Sequence, residues 1–203
     1  MIRECHIDCD LNSLQAHFAG RVVFQPPAPA ADLATLEERL GPLPRGVVHF
    51  LVTTNGLRLQ LDPPGPFATL WSTHDMLQCI NDDGLPPMPD GFMPICGLRD
   101  GLRDWLAVSP DGLHGIVVRC DPAAGDESLL ASSFEVYLNA WTAFHTAHYT
   151  KAGRIASPTA IDAFDAAFIS QRDDQYRKLV HDGRVQALLG ELRMTIAGGA
   201  DFE

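Results

Sequence analysis

LATLEERLGPLPRGVVHFLVTTNG, residues 33–56, holds two helix signals and two stops within 24 residues. Asp32 stands in N-cap position before the first helix. Leu33, Leu36 and Leu40 then form an apolar stripe at helical spacing, while Glu37, Glu38 and Arg39 face outward. Gly41 suits a helix stop, where a residue without a Cβ is favoured. Pro44 suits the first turn of a second helix, because its missing N–H would have no partner there in any case. Val47, Val48, Phe50 and Leu51 fill that helix, and Asn55-Gly56 ends it.

Upstream, Asp10 is expected to cap a short helix carrying Leu11, Leu14 and Phe18, with Gly20 as its stop. Arg21–Phe24 reads as a brief strand, and 25–31 (QPPAPAA) as an extended connector. Downstream, 57–61 alternates strictly (LRLQL), as a half-buried strand does. Asp62–Pro66 is a turn, and Ser72-Thr-His-Asp75 is a capping box ahead of Met76, Leu77 and Ile80. Residues 81–91 (NDDGLPPMPDG) read as loop.

A strand meander follows. Phe92–Cys96 is its first strand, made edge-like or irregular by Pro94. Asp104–Val108 and Leu113–Arg119 pair across Ser109-Pro-Asp-Gly112, and Asp121–Glu127 is read as loop. Ser132-Ser-Phe-Glu135 is a second capping box, opening a long helix with Phe134, Tyr137, Leu138, Trp141 and Phe144 on one face. Beyond Gly153 the composition shifts. A helix is expected from Ser157-Pro158 with Ile161, Phe164, Ala167 and Phe168 inward, running on through Tyr176 and Leu179. Asp182-Gly183 breaks it, and Val185, Leu188, Leu189 and Leu192 mark a last helix. Helices, then a strand meander, then helices again make an α+β chain rather than alternating βαβ units. The domain is expected over 1–150, with a C-terminal helical extension at 151–203 packed on it or on a second copy.

The formal net charge is −11, from 26 acidic and 15 basic residues. Ten of the acidic residues fall between Asp75 and Glu127, against Arg99, Arg103 and Arg119. Such a field repels phosphate backbones and attracts a basic partner, which argues against nucleic-acid binding. No apolar run approaches the roughly 20 residues of a membrane span. The N-terminus MIRECHIDCD has no apolar signal core, so a cytoplasmic location is expected. Five cysteines with no CxxC point to reduced thiols rather than a disulfide framework.

The LEERLGPLP step, VVHFLVTTNG, the WLAV and HGIVV strands and the ASSFEVYLNAW helix, in that order over about 31–147, resemble the SUKH superfamily. That fold is shared by bacterial toxin-immunity proteins and a fungal cell-wall-synthesis regulator. The first thirty residues and the helical tail fall outside the resemblance, and a Pro-rich insert at 62–66 departs from it. The resemblance implies a mixed or antiparallel sheet backed by helices. It implies binding rather than catalysis: an immunity protein, monomer or homodimer, that neutralises a basic toxin domain, often a nuclease. An intracellular scaffold or regulatory module is the alternative reading, and an uncharacterised hydrolase the third.

No cofactor or metal is expected. Cys5, His6 and Cys9 lack a completing ligand pair, and His145 and His148 are better read as cations favoured at a helix C-terminus. No Gly-x-Ser-x-Gly elbow, Walker A sequence or GxGxxG is present. The candidate partner-binding residues are Asp82, Asp83, Asp90, Asp100 and Asp104, as an acidic docking surface, with Trp71 and Trp105 as anchors if exposed.

Overall fold

The computed structural model describes residues 4–62, 68–81, 91–97, 103–107, 113–121, 126–156 and 164–199. Helix α1 (Glu4–His17) leads into β1 (Val22–Phe24), α2 (Ala30–Leu40) and α3 (Arg45–Thr53). Then come β2 (Leu57–Leu59), β3 (Thr69–Leu70), α4 (Thr73–Asn81) and the strands β4 (Phe92–Gly97), β5 (Arg103–Ala107), β6 (Val117–Asp121) and β7 (Asp126–Ala131). Helices α5 (Phe134–His148), α6 (Ala166–Ser170), α7 (Tyr176–Val180) and α8 (Gly183–Gly199) complete the chain. The α+β class holds, and both sheets are antiparallel: β1-β2-β3 and β4-β5-β6-β7. The backbone N–H of Trp71 donates to the Ile95 carbonyl at 3.0 Å, which joins the two sheets edge to edge.

The 33–56 segment folds as two helices, with its caps redistributed. Pro29, not Asp32, precedes α2; Asp32 sits in the first turn and accepts the Thr73 hydroxyl at 3.0 Å. Gly41 ends α2 at φ +86°, its N–H bonded to Glu37 O. The Asn-Gly stop does more than end a helix. Asn55 is buried, and its Oδ1 accepts the Thr73 backbone N–H at 2.7 Å while its Nδ2 donates to the Thr73 hydroxyl at 3.0 Å. The end of α3 thereby caps the start of α4. Gly56, at φ +86°, lies so close to β3 that a Cβ would stand 2.8 Å from Leu70 O and Ser72 N. The first capping box forms as expected: Asp75 accepts the Ser72 N–H at 3.0 Å and Ser72 Oγ accepts the Asp75 N–H at 3.2 Å.

Four expectations change. Asp10 is not a cap; α1 begins six residues earlier, and Asp10 is buried against Asn139 of α5 at 3.0 Å. The helix-starting serine of α5 is Ser133, whose Oγ takes the Val136 N–H; Ser132 instead bonds Asp173. A fourth strand, β7, occupies sequence read in part as loop, and β6 starts at Val117 rather than Leu113. The helix expected to run through Tyr176 and Leu179 is, among the described residues, two short pieces, α6 and α7, while α8 follows the Asp182-Gly183 break as expected. Asp165 caps α6 through the Phe168 N–H at 2.8 Å, and the chain turns at Asp173 before α7. The Pro-rich turn at 63–66, the loop at 82–90, the Ser109–Gly112 turn and the helix start at Ser157-Pro158 lie outside the described residues. Pro94 does mark an irregularity: the β4–β5 register shifts between Pro94 and Cys96.

The larger sheet is buried on both faces. Met93, Ile95, Val117 and Leu130 point into the main core with Leu14, Phe50, Leu51, Trp141 and Phe144. Their neighbours Phe92, Val118 and Leu129, with Trp105 and Cys120, point into a second cluster closed by Val185 and Leu192 of α8. Adjacent strand residues alternate between faces, so α1–α5 back one side and α7 and α8 pack on the other. Among the described residues, no helix is long and apolar enough to cross a membrane.

Candidate partner-binding surface

Two of the candidate docking residues prove to be internal. Asp104 is 1% exposed and accepts Nε and Nη2 of Arg119 at 2.7 and 2.9 Å and the Tyr137 hydroxyl at 2.6 Å. Trp105 is 1% exposed and packs against Phe92, ring centroids 6.2 Å apart. Neither side chain can meet a partner without unfolding a strand, so the docking reading is corrected for both. Trp71 is half-buried against the main core. Asp82, Asp83, Asp90 and Asp100 lie outside the described residues. Asp75 is exposed on the first turn of α4. Glu127 is buried, with Oε2 accepting Arg193 Nε at 2.8 Å.

The Asp104 cluster is held by its surroundings. Burial opposes charge on Arg119, but Asp104 outweighs it and the net shift is upward, so the guanidinium stays charged. Burial, then the Asp104 carboxylate, raises Tyr137 well above the usual phenol range, which keeps it a donor. Arg119 Nη1 also donates to the Phe164 carbonyl at 2.6 Å, and its guanidinium lies 5.7 Å from the Phe164 ring centroid. The cluster thus ties β5, β6 and α5 to Phe164 of the tail.

An open groove of about 700 Å³ runs along the seam between the N-terminal half of α5 and the segment from Arg172 to Leu179. His6, His114, Arg172 and Lys178 bring cationic or titratable groups to it, and Glu135 and Asp174 bring carboxylates. Arg172 is braced by stacking on Phe168, 4.1 Å from the ring centroid. Ser132, Ser133 and Asp173 also line it. Ser132 Oγ donates directly to Asp173 Oδ1 at 2.7 Å, and Ser133 Oγ caps α5. A Ser-His-Asp relay would place an imidazole between serine and carboxylate; here Asp173 holds the chain turn instead.

The remaining reactive groups are muted. His145 is buried among Trp141, Phe144 and Tyr149, with Nδ1 2.8 Å from the Trp141 carbonyl. Burial lowers its pKa to about 4, so it is neutral and does not serve as a cation at the helix end; that expectation is corrected. Burial raises the Cys96 thiol far out of reach of ionisation and pushes Cys120 up to about 12, which suits inert core cysteines. Cys9 is exposed on α1. Among the described residues, no group of three His, Cys, Asp or Glu is placed to hold a metal.

Sequence reasoning missed the Asp104–Arg119 pair, the Ser132–Asp173 tie and the groove. The first had a signal: Arg119 interrupts an otherwise apolar strand, GIVVRC, and a charge there needs an internal partner. The groove had none, since His6, His114 and Lys178 are far apart in sequence.

No curated protein matches the chain. The family model described as SMI1 / KNR4 family (SUKH-1) matches residues 27–140, from the connector before α2 to the middle of α5. With the match spanning more than half of the sequence and covering the β4–β7 sheet and strands β2 and β3 of the smaller one, the chain belongs to the SMI1/KNR4 (SUKH-1) family.

Proposed function

We propose that this chain is a non-catalytic binding protein that neutralises a basic protein toxin domain, as an immunity protein. Family membership carries the reading. The acidic sequence between Asp75 and Glu127 supports it, because opposite fields speed encounter and sharpen partner choice. The buried ionisable groups support it too: Asp104, Arg119, Tyr137, His145, Cys96 and Cys120 are spent on internal ties or locked in one protonation state. With Asp104 and Glu127 paired internally, the attracting charge falls to the other eight acidic positions of that stretch, among them Asp75, Asp82, Asp83, Asp90 and Asp100.

Co-expression of the tagged chain with the toxin domain encoded beside it should yield a stable complex on purification. Recovery of the chain alone would sink the proposal. Recovery of several unrelated intracellular partners and no toxin would favour the scaffold reading.

A further inference from the structure

The two sheets meet at β3 and β4, so the outermost strands are β1 and β7. Their free sides differ. The tail closes the β7 end: α6 lies against the strand, the Tyr176 hydroxyl donates to Leu129 O at 3.0 Å, and Asp173 accepts the Ser132 N–H at 2.7 Å. β1 has no such cover. Among the described residues, no strand lies beyond it and no hydrogen bond reaches its outer side.

The outward groups of β1 follow from the inward ones. The Gln60 N–H donates to Arg21 O at 2.9 Å and the Gln25 N–H to Gly56 O at 3.1 Å, so Arg21 and Gln25 turn toward β2. Alternation puts Val23, opposite Arg58, in the same class. Val22 and Phe24 therefore turn their N–H and C=O groups away from the sheet. The strand they belong to, Val-Val-Phe, carries no charge, proline or register shift to blunt it. The Val23 side chain is 39% exposed, on the face opposite the core contacts of Val22 and Phe24.

This edge is complementary to itself. A second copy laid antiparallel, with the two-fold axis at Val23, sets Val22 of each copy against Phe24 of the other. Each such pair exchanges both of its N–H···O bonds, because the groups of both residues point into the junction. Pro26 has no N–H and ends the ladder there. The Val23 side chains meet across the axis, while the copies of Arg58 stand roughly 14 Å apart, beyond a Debye length of about 8 Å. Pairing of this kind stops at two copies, since the β7 end is closed.

We propose that β1 is a strand-pairing edge whose partner is a second copy of this chain, joined antiparallel about Val23. The proposal does not rest on the toxin-binding reading, and neither falls with the other.

The contact is small and both copies are acidic, so the dimer is weak, with a Kd on the order of 100 μM. Sedimentation velocity on the full chain should show mostly monomer at about 5 μM and mostly dimer at about 1 mM. Monomer at both concentrations, or growth past the dimer, overturns the proposal. Added salt screens the net charge of −11 on each copy and should tighten the dimer. An association that salt weakens joins acidic to basic surfaces and overturns pairing through β1. Val23→Lys sets like charges across the axis and should weaken the dimer at least about tenfold; an unchanged dimer overturns the proposal. Val23→Cys, incubated with oxidised glutathione, should form a disulfide-linked dimer at least about tenfold faster than Arg58→Cys, because only the former brings its Cβ atoms to about 5 Å. Equal rates overturn the proposal. If Val23→Lys loses its near-UV circular dichroism, the cysteine comparison decides.

Discussion

Arg119 forks onto Asp104 inside the protein, with Nε and Nη2 at 2.7 and 2.9 Å from the two carboxylate oxygens. The pair bridges neighbouring strands at the directly opposed positions Asp104 and Arg119. A forked guanidinium matches a carboxylate as an ammonium cannot. Arg119→Met leaves Asp104 buried without its cation, held only by the Tyr137 hydroxyl, and should cost about 3–5 kcal/mol by urea denaturation. Arg119→Lys should recover only part of that, because one point charge cannot also reach Phe164 O.

Asn55 links the end of α3 to the start of α4. Asn55→Ala removes the acceptor of the Thr73 N–H and should cost about 1–2 kcal/mol. Gly56→Ala should cost more, since it adds a positive-φ penalty to a backbone contact of 2.8 Å. Thermal denaturation of the two variants side by side checks the order.

His145 makes stability depend on pH. Its folded pKa of about 4 lies below the ordinary 6.5, so between these values the unfolded chain holds more protons. Stability must then rise with pH across that window and fall on acidification through it, by on the order of 3 kcal/mol. His145→Phe, which keeps an aromatic ring beside Trp141 and Tyr149, should flatten this limb. Urea titrations of both chains at pH 7 and pH 4.5 give the difference.

Asp10 works in the other direction. Burial raises its pKa despite the Asn139 hydrogen bond and His6, and Oδ2 has no hydrogen-bond partner among the described residues. The folded chain therefore holds the extra proton above pH 3.8, and stability falls as pH rises through the raised pKa. Asp10→Asn should be neutral or stabilising at pH 7 and should lose that dependence.

How much of this was legible depends on whether a feature was local. The two helices of 33–56, the Ser72–Asp75 capping box and the irregularity at Pro94 follow from neighbours in sequence, and the structure keeps them. Strand β7 was partly hidden because Leu129 and Leu130 are buried on opposite faces, which removes the alternation a one-sided strand shows. Asp104 was placed outward on the usual habit of charged side chains, and Trp105 was an anchor only if exposed; the lone Arg119 on β6 shows why the habit failed for Asp104. The tail helix was cut short by Asp173, whose partner Ser132 is remote in sequence and visible only once the chain is folded.

If the acidic sequence draws in the partner, replacing Asp82, Asp83 and Asp90 with lysine should slow association by about tenfold or more at low salt, and 0.5 M salt should erase most of the difference. Stopped-flow mixing with the neighbouring toxin domain reads this directly. Asp104→Asn, by contrast, should alter stability and leave the association rate unchanged.

The central claim is that the chain inhibits by binding and not by turnover. Titrating purified chain into a fixed amount of active toxin domain measures this most directly. The account predicts that toxin activity falls linearly and ends at one chain per toxin. Toxin lost at a small fraction of that ratio, or activity untouched by an excess of chain, would contradict it.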